Sequence, residues 1–294
     1  MQSLAVKTPA HSPDPGPGPA ARRADDPGIP PCPAILTKLV KEMREDEPDF
    51  RRVAQLISAD VGLAATMLKT VNSPFYGLRA KATTVQQAVS MLGLRNITQT
   101  VTGLLLTSAF PVTQCKLMAK FWRDSVRVSY AAAHLAAHTR SADRSDAYTF
   151  ALFRDSGIPV MLRRHREYEA FFGAALETPG MTLPELEGER YGDTHTEVGA
   201  HLARSWLLPE TVCEAIAHHH HYHMWQRLLS EPAPQKFVLP AVAFVAEYLC
   251  TQASNAPAPM EWPLGMASAL GMLGLTESDL EPLVAETRGW LVAG

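Results

Sequence analysis

From residue 34 onward, apolar side chains recur every three or four positions, the spacing that lays them along one face of an α-helix. Ile35, Leu36, Leu39, Val40 and Met43 form one stripe, and Phe50, Val53, Ala54 and Ile57 form a second. Asp60 stands where an N-cap belongs, ahead of Leu63, Met67, Leu68 and Val71. Asn72-Ser73-Pro74 stops that helix, because proline cannot donate the next backbone hydrogen bond. Thr84, with Gln87 three positions on, reads as a capping box opening a helix through Val85, Ala88, Val89 and Leu92. Gly93 punctuates it before Leu94 to Ala109 resumes.

Phe110-Pro111-Val112 marks a lobe boundary. Beyond it the pattern predicts a long helix from Lys116 to His138, carrying Leu117, Phe121, Val128 and Leu135, and a short one from Asp146 to Asp155. Further helices are predicted over His195 to Trp206, Glu210 to His220, Phe237 to Thr251 and Glu277 to Leu291, the last capped by Thr276. Phe171 to Leu183 reads as looser, with a turn at Thr178-Pro179-Gly180. No alternating strand pattern exceeds a few residues, and no solenoid repeat is visible. The expectation is an all-α protein of two packed helical lobes.

Composition changes this picture little. The chain has 294 residues, 46% of them apolar and 19% charged, which suits a folded globular protein. Residues 1–28 are set apart as a flexible tail, with prolines at 9, 13, 15, 17 and 19 and nothing to bury. A net charge of -3 argues against a broad grip on a nucleic-acid backbone. No apolar run approaches the length needed to cross a bilayer. Cys32, Cys115, Cys213 and Cys250 lie far apart with no CxxC pair, so reduced thiols in a cytoplasmic protein are expected.

The stretch Leu68-Lys-Thr-Val-Asn-Ser-Pro-Phe-Tyr-Gly77, followed by Thr84 to Leu94, resembles the HDOD domain. Asn72, Ser73, Phe75, Tyr76 and Gly77 fall on that family's NS-x-FYG turn, and Ala88, Leu92, Gly93 and Leu94 on the helix after it. Pro30 to Leu36 is similar to its N-terminal edge, and Phe121-Trp122, Trp206 to Pro209 and Ala215-Ile216 continue the match. Physically the turn reads as a structural corner, with Asn72 and Ser73 capping a helix end and Phe75 and Tyr76 as buried anchors. The resemblance implies an HDOD domain over 29–225, made of an N-terminal helical lobe (29–112) and an HD-like lobe (113–225). A C-terminal helical extension (226–294) would pack on the latter.

The HD-like lobe resembles metal phosphohydrolases, in which histidines and carboxylates hold divalent ions that activate water. On that pattern the first histidine is replaced by Asp124 and the His-Asp pair reads Arg154-Asp155. His195 survives, the histidine pair survives as His219 and His220, and Glu247 takes the late carboxylate position. A guanidinium offers no lone pair to a metal. The expectation is therefore a vestigial cleft (Asp124, Arg154, Asp155, His195, His219, His220, Glu247) with no catalytic residues, no cofactor and no dedicated metal. His219 and His223 are kept as weak chelating candidates on one helix, and His134 and His138 as a solvated face. Arg163, Arg164, His165 and Arg166 form a basic run, read as a solvated helix end that could meet a phosphate or an acidic partner. The resemblance implies a bacterial signal-transduction module that acts through a protein partner, with no membrane contact. A metal-dependent phosphohydrolase, and a sensor binding a nucleotide in the cleft, stand as alternatives.

Overall fold

The computed structural model describes residues 28–73, 76–110, 116–178, 180–228, 235–256 and 260–293. Every regular element among them is helical. The tail up to residue 27, Phe75, Pro111, Val112, Cys115 and Pro179 lie outside the described residues.

The first lobe is built from α1 (Ala34–Met43), α2 (Phe50–Ser58), α3 (Val61–Val71) and α4 (Val85–Ala109). Their apolar stripes meet in one core, where Leu39, Val53, Ile57, Met67, Val89 and Ile97 are fully buried. The Asp60 carboxylate accepts from the Leu63 N–H at 3.0 Å, as its N-cap position predicts. Thr84 caps α4 through the Gln87 N–H at 3.1 Å. The return bond of the expected capping box goes elsewhere, because the Gln87 side-chain Oε1 accepts from the Thr83 N–H at 2.8 Å. Gly93, at φ +79°, breaks the helical path inside α4.

The Asn72 corner is a clamp and not a cap. Asn72 donates to the Ala82 carbonyl and accepts from the Ala82 N–H, both at 2.8 Å. The amide thereby copies a backbone partner and closes the loop between α3 and α4. Tyr76 reaches across it to the Thr100 hydroxyl at 2.6 Å, and Gly77 takes φ +57°.

The second lobe contains α5 (Lys116–Thr139), α6 (Arg144–Phe153), α7 (Gly157–Arg164), α8 (Tyr168–Ala175), α9 (Leu183–Tyr191), α10 (His195–Ser205), α11 (Glu210–His218), α12 (Tyr222–Arg227), α13 (Gln235–Ala253), α14 (Trp262–Leu273) and α15 (Leu280–Ala293). α6 starts earlier than its apolar pattern suggested, because Asp143 caps it by accepting from the Ser145 and Asp146 N–H groups. The stretch read as loose carries α8 and the start of α9 instead. The Thr182–Glu185 capping box sets that start.

α13 is the axle of this lobe. It packs against α5, α6, α11, α14 and α15, and Val242, Val245 and Ala246 on it are fully buried. The last third of the chain shares one apolar core with α5 to α12. Of the four cysteines, Cys213 and Cys250 are buried in this lobe as free thiols, and Cys32 is a free thiol on the N-terminal edge.

The lobes meet along α4 and α6. Arg95 pairs with Asp146 at 2.7 Å. Arg163 donates to the Ala109 carbonyl at 2.7 Å and stacks over the Phe110 ring. Two segments far apart in sequence also join, since the Trp206 indole donates to the Pro30 carbonyl at 3.0 Å. The basic run is thus structural in part: Arg163 ties the lobes, and Arg164 pairs with Asp193 at 3.1 Å. His134, read as solvated, has Nε2 2.9 Å from Glu286 on α15.

One close approach positions everything that follows. A Cβ on Gly157 would lie 1.9 Å from the His195 carbonyl oxygen and 2.8 Å from the Gly199 nitrogen. Both obstacles are backbone, so α7 and α10 touch only because Gly157 has no side chain. Gly157→Ala should therefore cost at least about 3 kcal/mol in urea unfolding, by forced overpacking. Gly173→Ala, in open space on α8, should be neutral or stabilising by about 0.5–1 kcal/mol.

Candidate functional site

The α7–α10 contact brings the chain on either side of it to one point. Asp155 lies in the turn between α6 and α7, His195 opens α10, and His219 and His220 follow the last residue of α11. One ligand atom from each of these four residues lies within 4.8 Å of the others. Thr194 fixes the start of α10 by accepting from the Glu197 N–H at 3.2 Å, which pins His195. His219 is held by its own ring, whose Nδ1 lies 2.8 Å from the Ile216 carbonyl one turn back.

Arg154 occupies one side of this point. Its Nε donates to Asp155 Oδ2 at 2.9 Å and its Nη2 pairs with Glu247 Oε2 at 3.0 Å. Its Nη1 reaches the Ala243 carbonyl at 3.4 Å. Burial alone would lower the Arg154 pKa, but the carboxylates of Glu247 and Asp155 raise it beyond its ordinary value. Burial would likewise raise the Asp155 carboxyl, but Arg154 and the adjacent imidazoles hold it well below the usual carboxylate range.

The other side is lined by three imidazoles, each backed by an outward partner. His195 Nδ1 is 2.7 Å from Glu187 Oε2, His220 Nδ1 is 2.7 Å from Glu261 Oε2, and His219 Nδ1 faces the Ile216 carbonyl. Glu187 and Glu261 are themselves held by the hydroxyls of Tyr168 and Tyr222. His195 is fully buried, and its Nε2 has no hydrogen-bond partner. Burial works against charging His195, but Glu187 outweighs it and the pKa is raised. Burial pushes His219 down to about 4. The Glu261 carboxyl, despite its own burial, is held at about 2, chiefly by its hydrogen bond with His220.

The structure brings together Arg154, Asp155, His195, His219, His220 and Glu247. It does not bring Asp124 to them. That carboxylate ends on the surface of α5, paired with Lys120 at 2.8 Å and Arg123 at 3.4 Å. The helical His219–His223 pair does not exist either. α11 ends at His218, His221 is non-helical at ψ 57°, and His223 belongs to α12. The ring of His219 turns inward as its Nδ1 meets a helix-end carbonyl.

Glu187, Glu261, Tyr168 and Tyr222 were not legible as site residues. Glu187 sits in a helix of polar residues, LPELEGERY, and only its complete burial distinguishes it. Glu261 precedes a helix in the last third of the chain, far from any motif. The imidazole side carries groups of metal-ligating type, three imidazoles and one carboxylate oxygen. On the Arg154 side, Asp155 Oδ2 is already engaged by the guanidinium.

Comparison with known proteins agrees with the fold. The family model of the HDOD domain matches residues 29–222. An uncharacterised protein of Treponema pallidum (strain Nichols) is 29% identical over 235 residues, covering 76% of this chain and 42% of that protein. The chain thus spans less than half the length of that curated relative. A crystal structure of a provisionally named phosphohydrolase from Shewanella amazonensis SB2B superposes with a TM-score of 0.68 at 22% identity, over 89% of this chain and 92% of that one. A provisionally named signal transduction protein from Marinobacter aquaeolei VT8 gives 0.63 at 20% identity, over 90% and 59%. At these identities the likeness concerns the fold. No described helix is long and apolar enough to cross a membrane. With the family model covering most of the described chain, and with the corner and the two-lobed helical fold in place, this chain belongs to the HDOD domain family.

Proposed function

We propose that this chain is a regulatory signalling module of the cytoplasm that acts by binding another protein, and that its HD-like cleft is not hydrolytic. The observation that carries this is the double ion pair of Arg154 with Asp155 and Glu247. Two-metal phosphoester hydrolysis needs a pair of ions about 3.5–4 Å apart to activate water and clamp the leaving oxygen. Here one oxygen of Asp155 and the carboxylate of Glu247 are already committed to a permanent cation. A divalent ion on that side would meet its repulsion. The Marinobacter neighbour's name as a signal transduction protein is in line with this reading, while the Shewanella neighbour's name points to the rival hydrolase.

Arg154 is also a poor phosphate receptor. Three of its five N–H donors are engaged by two carboxylates and a carbonyl, so a phosphate would compete with anions already in place.

Two measurements test the reading. The purified wild type, supplied with Mn²⁺ or Mg²⁺, should show no metal-dependent cleavage of bis(p-nitrophenyl) phosphate or of a cyclic dinucleotide, and Arg154→His alone should not create it. Chelator-sensitive turnover by the wild type would end the proposal. Arg154→Met should lower unfolding free energy by about 3 kcal/mol, since it removes the guanidinium partner of both Asp155 and Glu247. A neutral result in urea titration would mean that the guanidinium is not what holds this side of the cleft.

A further inference from the structure

We propose that the C-terminal extension carries a ligand site of its own, a cavity among α13, α14 and α15 that takes a free tripeptide by its two charged ends. This site goes beyond the reading of the HD-like cleft, and neither depends on the other.

The cavity has a volume of about 670 Å³. Every residue on its wall lies between Tyr248 and Arg288, beyond the stretch 29–222 that the family model matches. Pockets for small organic ligands are roughly 300–1,000 Å³ and join an apolar wall to a few placed polar groups. Here Tyr248, Met266, Leu280 and Val284 supply the apolar wall. The Tyr248 ring is held by Trp262, stacked on it at 4.0 Å and 14°, and Leu280 is anchored in the core of the lobe. These parts of the wall stand in place without a ligand.

Charge is arranged along this wall with a direction. Glu281, Val284 and Arg288 stand three and four residues apart on α15, which puts them on one face of the helix, and all three line the cavity. Glu281 and Arg288 are two turns apart, roughly 10 Å at about 1.5 Å of rise per residue. Glu277, just before α15, adds a second carboxylate to the wall. Arg288 is fixed in orientation by the end of α13. Its Nε donates to the Ala253 carbonyl at 3.2 Å, and its Nη2 to the Gln252 carbonyl at 3.4 Å and Asn255 Oδ1 at 3.3 Å. Its Nη1 has no hydrogen-bond partner among the described residues. A pre-oriented guanidinium of this kind suits a carboxylate.

Anions at one end, a cation two helical turns away and an apolar stripe between them define the ligand. A simple amine would meet the guanidinium and a simple carboxylate would meet the two glutamates, so each is penalised at one end. A zwitterion satisfies both. A free amino acid is too short, because its ammonium and carboxylate share one α-carbon. An extended chain of three residues spans at most about 10–11 Å, and carries an ammonium at one end and a carboxylate at the other. Val284, midway along the stripe, calls for an apolar side chain in the middle. The amide side chains of Gln252 and Asn255 on the same wall offer donors for the peptide carbonyls.

The test is calorimetric titration of the full chain with the tripeptide Ala-Leu-Ala. One equivalent should bind saturably, and the same peptide should raise Tm. Acetylating its amine should weaken binding about fivefold, the size of one exposed ion pair. Amidating its carboxyl should weaken it about tenfold, the size of a hydrogen bond to a charged group. Free leucine should bind more weakly than either capped form. Glu277→Gln with Glu281→Gln, both exposed positions, should cost the free peptide the same fivefold and leave the acetylated peptide unchanged, which locates the ammonium. No heat and no rise in Tm at millimolar peptide would overturn the site. So would equal binding of free and capped peptides, or an equal loss for both peptides in the double variant. Leucine binding as tightly as the tripeptide would overturn the two-ended span. The wild-type titration needs no variant, so a substitution that fails to fold does not blunt it, and no outcome bears on hydrolysis in the cleft.

Discussion

The guanidinium of Arg154 governs what the second lobe can be. It lies at the end of α6 and binds a carboxylate in the next turn and another on α13. α13 is the helix on which α5, α6, α11, α14 and α15 all pack. A charge in that position cannot be removed without depriving two acids of their guanidinium partner in a half-buried place, where the loss exceeds what the pair contributes. The same charge that stitches α6 to α13 takes up one half of a site that could otherwise hold two ions. On the proposed reading, the stability of this side and its unsuitability for a second ion have a common physical source.

Around this pair, the remaining polar groups are arranged with unusual completeness. Tyrosines hold glutamates, glutamates hold histidines, and the histidines face one oxygen of Asp155. Buried networks of this kind rigidify a site only when every member is satisfied. At the inner edge of the network, His195 Nε2 has no hydrogen-bond partner among the described residues. The bare contact of Gly157 with the backbone at His195 makes the convergence possible, because any side chain there would push α10 away from Asp155.

Neighbours of the same fold carry names from two different classes, one a hydrolase and one a signalling protein. A shared helical frame does not select between them, since function lives in the residues placed on it. In this chain the deciding residues are few. Arg154, paired with Asp155 and Glu247, is what the non-hydrolytic proposal rests on.

Periodicity alone was enough to make the chain helical, and local chemistry placed the Asp60 and Thr84 caps, the Gly93 break and the Asn72 corner, because these depend on near neighbours. The motif text around residues 72–77, 154–155 and 206–209 was enough to suggest the family. Arg154, Asp155, His195, His219, His220 and Glu247, which that text singled out, lie together in the structure, although 93 positions separate the first and last of them in the numbering. Asp124 lies apart from them, on the surface of α5; a carboxylate on an amphipathic helix reads the same whether it faces a cleft or pairs with Lys120. The His219–His223 pair failed for a related reason: helical spacing is a rule only while the helix lasts, and it ends at His218. Glu187, Glu261 and the two tyrosines needed the tertiary structure. Their role comes from burial against a histidine far along the chain, and no local pattern encodes what a distant helix will bring into contact.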